Sequence, residues 1–227
     1  LGLSINSIWK FTPKTIKNFN GKLYNYHAGD LPTERGAAII TWRILLNKHK
    51  NLSINIHKIG NDFDTGKIVK KKNISITNKD RLPYQHLKRI EKVEKIFLKE
   101  FIMDYIRKRK FMKKTQQNEK SYYWPKLNSE KDGLIDWNWK AKEIVEFIKA
   151  FSKPFNGSFS YLNKTKVKIM DAKFLKSDIK FHPFQNGIIF RFYKNNFYIA
   201  NRDHFIKISK SQIIGLKKRP SFYLGKK

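Results

Sequence analysis

An asparagine and a histidine two residues apart, Asn25 and His27, end an apolar stretch that starts at Leu23. Because side chains in a strand alternate between its two faces, this spacing directs both polar groups to the same side. The amide is a neutral hydrogen-bond donor, and the imidazole titrates near neutral pH, so it can donate or accept a proton. Such a pair suits a pocket that stabilises an oxyanion and manages the proton of an attacking nucleophile.

An aspartate further along the chain, Asp64, precedes Thr65 and Gly66 in an acidic turn. A carboxylate beside an imidazole raises its pKa and fixes its orientation, and Asp64 is the best candidate for that partner of His27. From the residues alone, Asp64 could equally be a turn residue, since Asp and Gly are common in turns. The intervening residues 35–66 predict a helix and a strand that return the chain to His27.

The chain contains no cysteine. Disulfides, thiolate nucleophiles and thiolate metal sites are therefore excluded. No spacing of histidines and carboxylates indicates a metal cluster, so no metal is expected. No apolar run approaches the roughly 20 residues that a membrane span needs, and no signal peptide is visible. These features predict a cytoplasmic enzyme without a membrane partner.

The block of residues 25–36, followed by Asp64-Thr65-Gly66, resembles the active site of the formyltransferases that use N10-formyltetrahydrofolate. That family includes enzymes for methionyl-tRNA, glycinamide ribonucleotide and nucleotide sugars. The resemblance implies that Asn25 and His27 polarise the formyl oxygen. It implies that Asp64 orients the histidine and helps to move protons.

The same resemblance concerns the co-substrate. Residues 60–64 correspond to the family loop that borders the pterin ring, which implies that Gly60, Asn61 and Asp62 bind N10-formyltetrahydrofolate. Asn61 and Asp62 are not diagnostic individually. No metal cofactor is implied.

Three downstream segments are similar to the amino-sugar branch of this family: residues 121–126, 132–137 and 150–161. The leading hypothesis is therefore formyl transfer to the amine of a nucleotide-linked amino sugar. The alternative acceptor is initiator methionyl-tRNA, for which the arguments are the segment Gly36-Ala37-Ala38 and the basic charge. A third hypothesis is a non-catalytic, basic RNA-binding protein, although such a module has no need of the Asn25, His27 and Asp64 set. Relatives in the sugar branch are often dimers, so a homodimer is also expected.

The chain carries 49 Lys and Arg residues against 18 Asp and Glu, a formal net charge of +31 at pH 7. A charge of this size is typical of nucleic-acid-binding proteins. However, 40 of the 49 are Lys and 9 are Arg, whereas phosphate and base recognition favours the planar Arg fork. A composition rich in Lys, Ile and Asn also follows from AT-rich codons. Charge alone therefore does not distinguish a diphosphate-linked sugar from a tRNA as the partner.

The apolar periodicity indicates an α/β part followed by a smaller β-rich part. The resemblance implies a partial Rossmann-like formyltransferase domain in residues 1–112, a linker in 113–135, and a C-terminal helix with an OB-like module in 136–227. Because the Asn-x-His block lies deeper inside the family's catalytic domain, the first strands of that domain are expected to lie outside this chain. The predicted strands are 1–9, 22–27, 52–56 and 68–76, the helices 12–19, 37–48, 87–105 and 141–151, and the hairpins 157–169 and 186–209 with a turn at Asn195-Asn196.

Overall fold

The computed structural model describes residues 1–7, 9–48, 51–162 and 164–215. The chain divides into two compact units. Unit 1 comprises residues 1–43, 48–80 and 85–126, and unit 2 comprises 44–47, 81–84 and the described part of 127–227. Residues 113–135 were expected to form a linker. The boundary between the two units falls inside this segment, after residue 126. The domain boundaries themselves stay a prediction.

The chain up to residue 126 contains six strands and three α-helices among the described residues. The strands are β1 (Gly2–Ile5), β2 (Leu23–Ala28), β3 (Arg35–Gly36), β4 (Leu52–Lys58), β5 (Ile68–Ile74) and β6 (Tyr123–Trp124), and the helices are α1 (Pro13–Asn18), α2 (Ile39–Leu45) and α3 (Pro83–Ile106).

The main sheet of unit 1 has the order β1-β2-β4-β5. Strands β1 and β2 run parallel, whereas β4 is antiparallel to both β2 and β5. The short strands β3 and β6 form a separate parallel pair. The sheet is therefore mixed.

One face of this sheet is apolar and packs against α3. Tyr24 and Tyr26 of β2 join the buried aliphatic residues of β4 in one cluster with Phe97 and Phe101 of α3. The Tyr24 and Phe101 rings meet edge to face with centroids 5.3 Å apart. The long amphipathic helix predicted from the apolar spacing thus covers the sheet and rigidifies β2 and β4.

The opposite face of the same strands is polar. On β4 the alternate side chains are Ser53, Asn55 and His57, all buried, and on β2 they are Asn25 and His27. Asn25 lies directly opposite His57 in the strand register. Because buried polar groups must find hydrogen-bond partners, this face is a place where function concentrates.

Unit 2 is built around two antiparallel sheets. Its elements are α4 (Ser129–Asp132), α5 (Ala141–Ala150), β7 (Ser158–Leu162), β8 (Thr165–Ile169), β9 (Lys173–Leu175), β10 (Ile189–Tyr193), β11 (Asn196–Ala200), β12 (Phe205–Ser209) and β13 (Ile213–Ile214). One sheet has the order β10-β11-β12-β9 and the other the order β13-β8-β7. Helix α5 buries its apolar face and contacts β9 and β12.

The predicted hairpin over 157–169 is confirmed as β7 and β8. The turn predicted at Asn195-Asn196 is wrong by one residue. The central residues are Lys194 and Asn195, with φ values of 45° and 59°, as a tight two-residue hairpin turn requires. The predicted fold class, an α/β unit followed by a small β-rich unit, is confirmed. In the described ranges, no helix has the length and apolarity to cross a membrane.

Candidate active site

The side chain of Asp64 is the centre of a buried polar cluster in unit 1. Its Oδ1 accepts a hydrogen bond from Asn25 Nδ2 at 3.1 Å and lies 3.1 Å from His57 Nε2. Its Oδ2 accepts from the backbone N–H of Gly36 at 2.9 Å and lies 3.6 Å from His27 Nδ1. The structure therefore brings together Asn25, His27 and Asp64. In the sequence, Asp64 follows the other two by 37 residues or more.

His27 is held from its other side by the main chain. Its Nε2 hydrogen-bonds the carbonyl oxygen of Glu34, so Nε2 must be the donor. In the neutral ring, Nδ1 then keeps its lone pair and faces the Asp64 carboxylate.

The expected rise in the pKa of His27 is wrong. Burial lowers the pKa of this imidazole below its ordinary value of 6.5 and outweighs the opposite effect of the Asp64 carboxylate. The neighbouring ring of His57 lowers it further. At neutral pH, His27 is therefore a neutral imidazole.

The carboxyl of Asp64 behaves in the opposite way. Burial alone would raise its pKa, but the hydrogen bond with His57, the electrostatic interaction with His27 and the N–H of Gly36 lower it to about 2. Asp64 is ionised throughout the physiological pH range, so the cluster contains a fixed negative charge next to His27.

The loop that carries Asp64 has a constrained backbone. Asp64 has a φ of 53°, a left-handed conformation that Asp tolerates better than most residues. Gln116 Nε2 donates to the carbonyl oxygens of both Asp64 and Gly66 at 2.7 Å. A Cβ on Gly66 would overlap the carbonyl oxygen of Lys58. A glycine is thus required at position 66 by the close approach to the backbone of Lys58.

The donor Gly36 N–H is positioned by the β3–β6 pair. Gly36 has a φ of 99°, and a Cβ there would overlap the carbonyl oxygen of Trp124. Next to it, Arg35 donates to Gln116 Oε1 at 3.0 and 3.1 Å. The residues after the Asn-x-His block therefore build the opposite wall of the cluster, rather than only leading into a helix.

A buried ion pair orients the carbonyl that binds His27. Arg43 Nη1 lies 2.6 Å from Glu34 Oε1, and both side chains are buried. The Glu34 carboxylate also accepts from the backbone N–H of Asp30 at 2.8 Å. Breaking a buried pair from one side is costly because it leaves an uncompensated charge. Arg43 therefore acts on His27 through Glu34.

Exposed aromatic rings lie beside Asp64. Phe63, its neighbour in the chain, is 43% exposed and has its ring centroid 6.2 Å from that of Tyr123. Tyr123 and Tyr122 are 57% and 62% exposed, and the Tyr122 centroid is 6.4 Å from that of Trp124. Exposed rings this close together provide a surface on which a planar ligand can stack.

The three residues expected to bind the co-substrate lie on the loop between β4 and β5. Asn61 and Asp62 are exposed, and Asp62 forms a surface ion pair with Lys10 at 3.3 Å. A Cβ on Gly60 would meet only Thr65 Oγ1, at 3.9 Å. Their contact with a folate stays a prediction.

Sequence reasoning missed two members of the cluster. His57 could have been found, because the polar residues of β4 alternate with Leu52, Ile54 and Ile56 and end in a histidine seven positions before Asp64. Gln116 had no comparable signal and lay in the expected linker. Within residues 1–7, 9–48, 51–162 and 164–215, no group of three or more His, Cys, Asp or Glu side chains could hold a metal ion.

Comparison with known proteins places this geometry in a family. The protein-family model for the C-terminal domain of formyl transferases matches residues 128–221. The chain is 30% identical over 224 residues to the methionyl-tRNA formyltransferase of Buchnera aphidicola subsp. Acyrthosiphon pisum (strain Tuc7), covering 95% of this chain and 67% of that protein. It is 32% identical over 150 residues to the bifunctional polymyxin resistance protein ArnA of Wigglesworthia glossinidia brevipalpis, covering 66% of this chain and 22% of that protein.

A solved structure shares the fold. It is the N-formyltransferase of Helicobacter canadensis in complex with folinic acid and dTDP-3-aminofucose, at a TM-score of 0.63 and 22% identity, covering 90% of this chain and 70% of that one. The chain thus spans 22% to 70% of the length of these proteins. On the identity and coverage of these relatives, the chain belongs to the formyltransferase family.

Proposed function

We propose that this chain transfers the formyl group of N10-formyltetrahydrofolate to a primary amine. The observation that carries the proposal is the convergence of Asn25, His27 and Asp64 in one cluster at distances of 3.1 and 3.6 Å from the carboxylate. Two acid–base groups and a neutral donor in contact match what acyl transfer to an amine requires.

The reaction forms one bond and breaks one. The amine nitrogen attacks the formyl carbon, the carbonyl oxygen becomes an oxyanion, and the bond from that carbon to N10 breaks. The attacking nitrogen loses a proton and N10 gains one. The Asn25 amide nitrogen donates one N–H to Asp64 at 3.1 Å and lies 3.3 Å from His57 Nε2. Its second N–H is the proposed donor to the oxyanion. The neutral His27 and the ionised Asp64 accept and return the proton.

Gly60, Asn61 and Asp62 are proposed to border the pterin ring of the co-substrate. Their loop leads directly to Asp64, and the exposed side chain of Asn61 and the space around Gly60 leave room for a planar ring. Folinic acid, a formylated folate, is bound to the Helicobacter canadensis protein of the same fold. The donor set of this loop and cluster fits a formyl folate.

The proposed acceptor is the amine of a nucleotide-linked amino sugar. The support is the exposed aromatic surface of Phe63, Tyr122 and Tyr123 beside Asp64. A nucleobase has a flat π face that stacks on such rings. A homodimer also stays a proposal, which sedimentation equilibrium tests directly.

A specific surface of unit 2 favours the alternative acceptor, initiator methionyl-tRNA. Arg191 of β10 lies over the rings of Tyr193 and Tyr198, at 4.8 and 5.3 Å from their centroids. Tyr198 pairs with Lys207 across the next strands, and Lys207 pairs with Lys173. Cations interleaved with aromatic rings suit RNA. The relative from Buchnera aphidicola carries the name of this activity.

The test is transfer of labelled formyl from N10-formyltetrahydrofolate to a panel of nucleotide-linked amino sugars, with initiator methionyl-tRNA in parallel. Label on a sugar that disappears with His27→Ala and weakens with Tyr123→Ala supports the leading proposal. Transfer that survives His27→Ala contradicts the role of that residue. Label on the tRNA alone replaces the sugar by the alternative.

Charge variants separate the two acceptors further. Arg191→Ala and Lys207→Ala should weaken tRNA binding and each reduce the slope of log K against log salt by about 0.7–0.9. Lys142→Ala, which removes an exposed cation of α5, is the matched control. RNA binding that is unchanged in all three variants, together with an absence of formyl transfer, would favour neither acceptor. It would indicate that the RNA binds through the overall positive charge.

A further inference from the structure

A serine on β1 shares the polar face of the sheet with Asn25. Its neighbour Leu3 packs against the apolar cluster of unit 1. Because strand side chains alternate, Ser4 points to the opposite, polar face. Ser4 lies directly opposite Asn25 in the strand register, and Asn25 lies opposite His57. Neighbouring strands are about 4.8 Å apart, so these three residues form one row of polar side chains across β1, β2 and β4.

The hydroxyl of Ser4 is buried and unpaired. Ser4 is 8% exposed, and its Oγ has no hydrogen-bond partner among the residues that the structure describes. A buried polar atom without a partner costs free energy, so each such atom needs an explanation. The place of Ser4 in the row supplies one, because a group that binds beside Asn25 would give the hydroxyl its partner.

The Asn25 amide does not supply that partner, and its own donors are in demand. Its Nδ2 lies 3.1 Å from Asp64 Oδ1 and 3.3 Å from His57 Nε2. An oxygen that gains negative charge during formyl transfer therefore shares this nitrogen with two protein groups. A second donor next to the amide would stabilise that oxygen further.

The segment that follows β1 approaches the loop proposed to border the pterin ring. Lys10 Nζ lies 3.3 Å from Asp62 Oδ1. Both side chains are exposed, so the ion pair contributes little to stability. It does place the chain that leaves β1 beside residues 60–62. The strand that carries Ser4 therefore leads from the polar row towards the proposed co-substrate loop.

We propose that Ser4 is a further residue of the formyl-transfer site, whose hydroxyl donates a hydrogen bond to the formyl oxygen of N10-formyltetrahydrofolate beside the Asn25 amide. Rotation about χ1 moves the hydroxyl among three staggered positions, so the contact needs no movement of the backbone. The hydrogen bond strengthens as the oxygen becomes negatively charged, and no proton is transferred in it. The inference rests on the proposed function, because it assumes that the folate binds at this cluster.

Ser4→Ala and Ser158→Ala form a matched pair of variants. Ser158 of β7 belongs to unit 2, is also buried, and its hydroxyl likewise has no hydrogen-bond partner in the described part of the chain. Each substitution removes an unpaired buried hydroxyl. Urea unfolding should therefore show unchanged or slightly raised stability for both variants. Only Ser4→Ala should alter the response to a formyl folate.

The first measurement is a calorimetric titration of the full chain, without an acceptor, with N10-formyltetrahydrofolate and with tetrahydrofolate, which lacks the formyl group. Ser4→Ala should bind N10-formyltetrahydrofolate about 5-fold more weakly, the effect of one lost hydrogen bond, and should bind tetrahydrofolate as the wild type does. Ser4→Cys, which keeps a side chain of similar shape but a weak donor, should change the affinity in the same direction. In the transfer assay, Ser4→Ala should lower kcat about 100-fold.

The outcomes are separable. Equal affinity of the wild type and Ser4→Ala for N10-formyltetrahydrofolate overturns the proposal. A loss of the same size for both folates also overturns it, because the contact would not involve the formyl oxygen, and so does an equal loss in Ser158→Ala. If the wild type binds N10-formyltetrahydrofolate but transfers formyl to no acceptor, the proposed function fails. The ratio of the two affinities then still decides whether Ser4 contacts the formyl group.

Discussion

The two faces of the sheet in unit 1 differ in what their side chains do. One face is apolar and packs on α3 through residues such as Phe101, whereas the other gathers the partly buried Asn25 and the buried His27 and His57 around Asp64. The apolar face gains free energy from removing its side chains from water. The polar face depends on complete hydrogen bonding, and it obtains its rigidity from the packing behind it.

The apolar face should govern stability. Phe101→Ala removes a fully buried ring and should lower the free energy of unfolding by about 3–5 kcal/mol. Ile102→Ala, at the next and more exposed position of α3, should cost less than 1 kcal/mol. Urea unfolding of both variants measures the difference. Equal losses would show that the packing of α3 on the sheet is not the dominant contribution.

The polar face should govern turnover. Asn25→Ala, His27→Ala and Asp64→Asn should each reduce formyl transfer by about 100-fold to 1000-fold, the usual effect of losing a group that stabilises the transition state. Circular dichroism should show that the cooperative unfolding transition is retained. Near-normal turnover of purified His27→Ala would remove the catalytic assignment. The control is His86→Gln, a change at a buried histidine that binds the Asp80 carbonyl.

The negative charge of Asp64 on the polar face should make the stability of the protein sensitive to acid. Because the pKa of Asp64 is lowered from 3.8 to about 2, its ionised form contributes stability above pH 3.8 that is lost as the pH falls toward 2. The contribution is about 2 kcal/mol. Unfolding of the wild type and of Asp64→Asn at pH 7 and pH 2 gives it by difference. A stability gap between the two proteins that does not narrow at pH 2 contradicts the shift.

The smallest effect should come from a polar contact at the edge of the apolar cluster. Tyr26 donates its hydroxyl to Glu94 at 3.1 Å, and Tyr26→Phe should cost about 1 kcal/mol of stability without changing turnover. A double-mutant cycle with Glu94→Gln isolates the bond. A loss of turnover would mean that the two faces are coupled more closely than the strand geometry suggests.

The elements of the site followed from local patterns. The alternation in Leu23–His27 predicted a strand with Asn25 and His27 on one face, and the apolar spacing from Leu87 predicted the helix behind it. The structure bears out both, because local period and burial of one face determine these choices. The same alternation in β4 held the information for His57, but the functional meaning of that residue depended on the register that sets it opposite Asn25.

The composition and order of residues determined the family resemblance, the strand, the helix and the candidate chemistry. The tertiary structure alone decided which groups touch. It paired Asp64 more closely with His57 than with His27, and it brought Gln116 from the expected linker to the Asp64 backbone. It also reversed the expected shift in the pKa of His27. The physical reason is that desolvation and long-range hydrogen bonds depend on burial and distance, which no local pattern encodes.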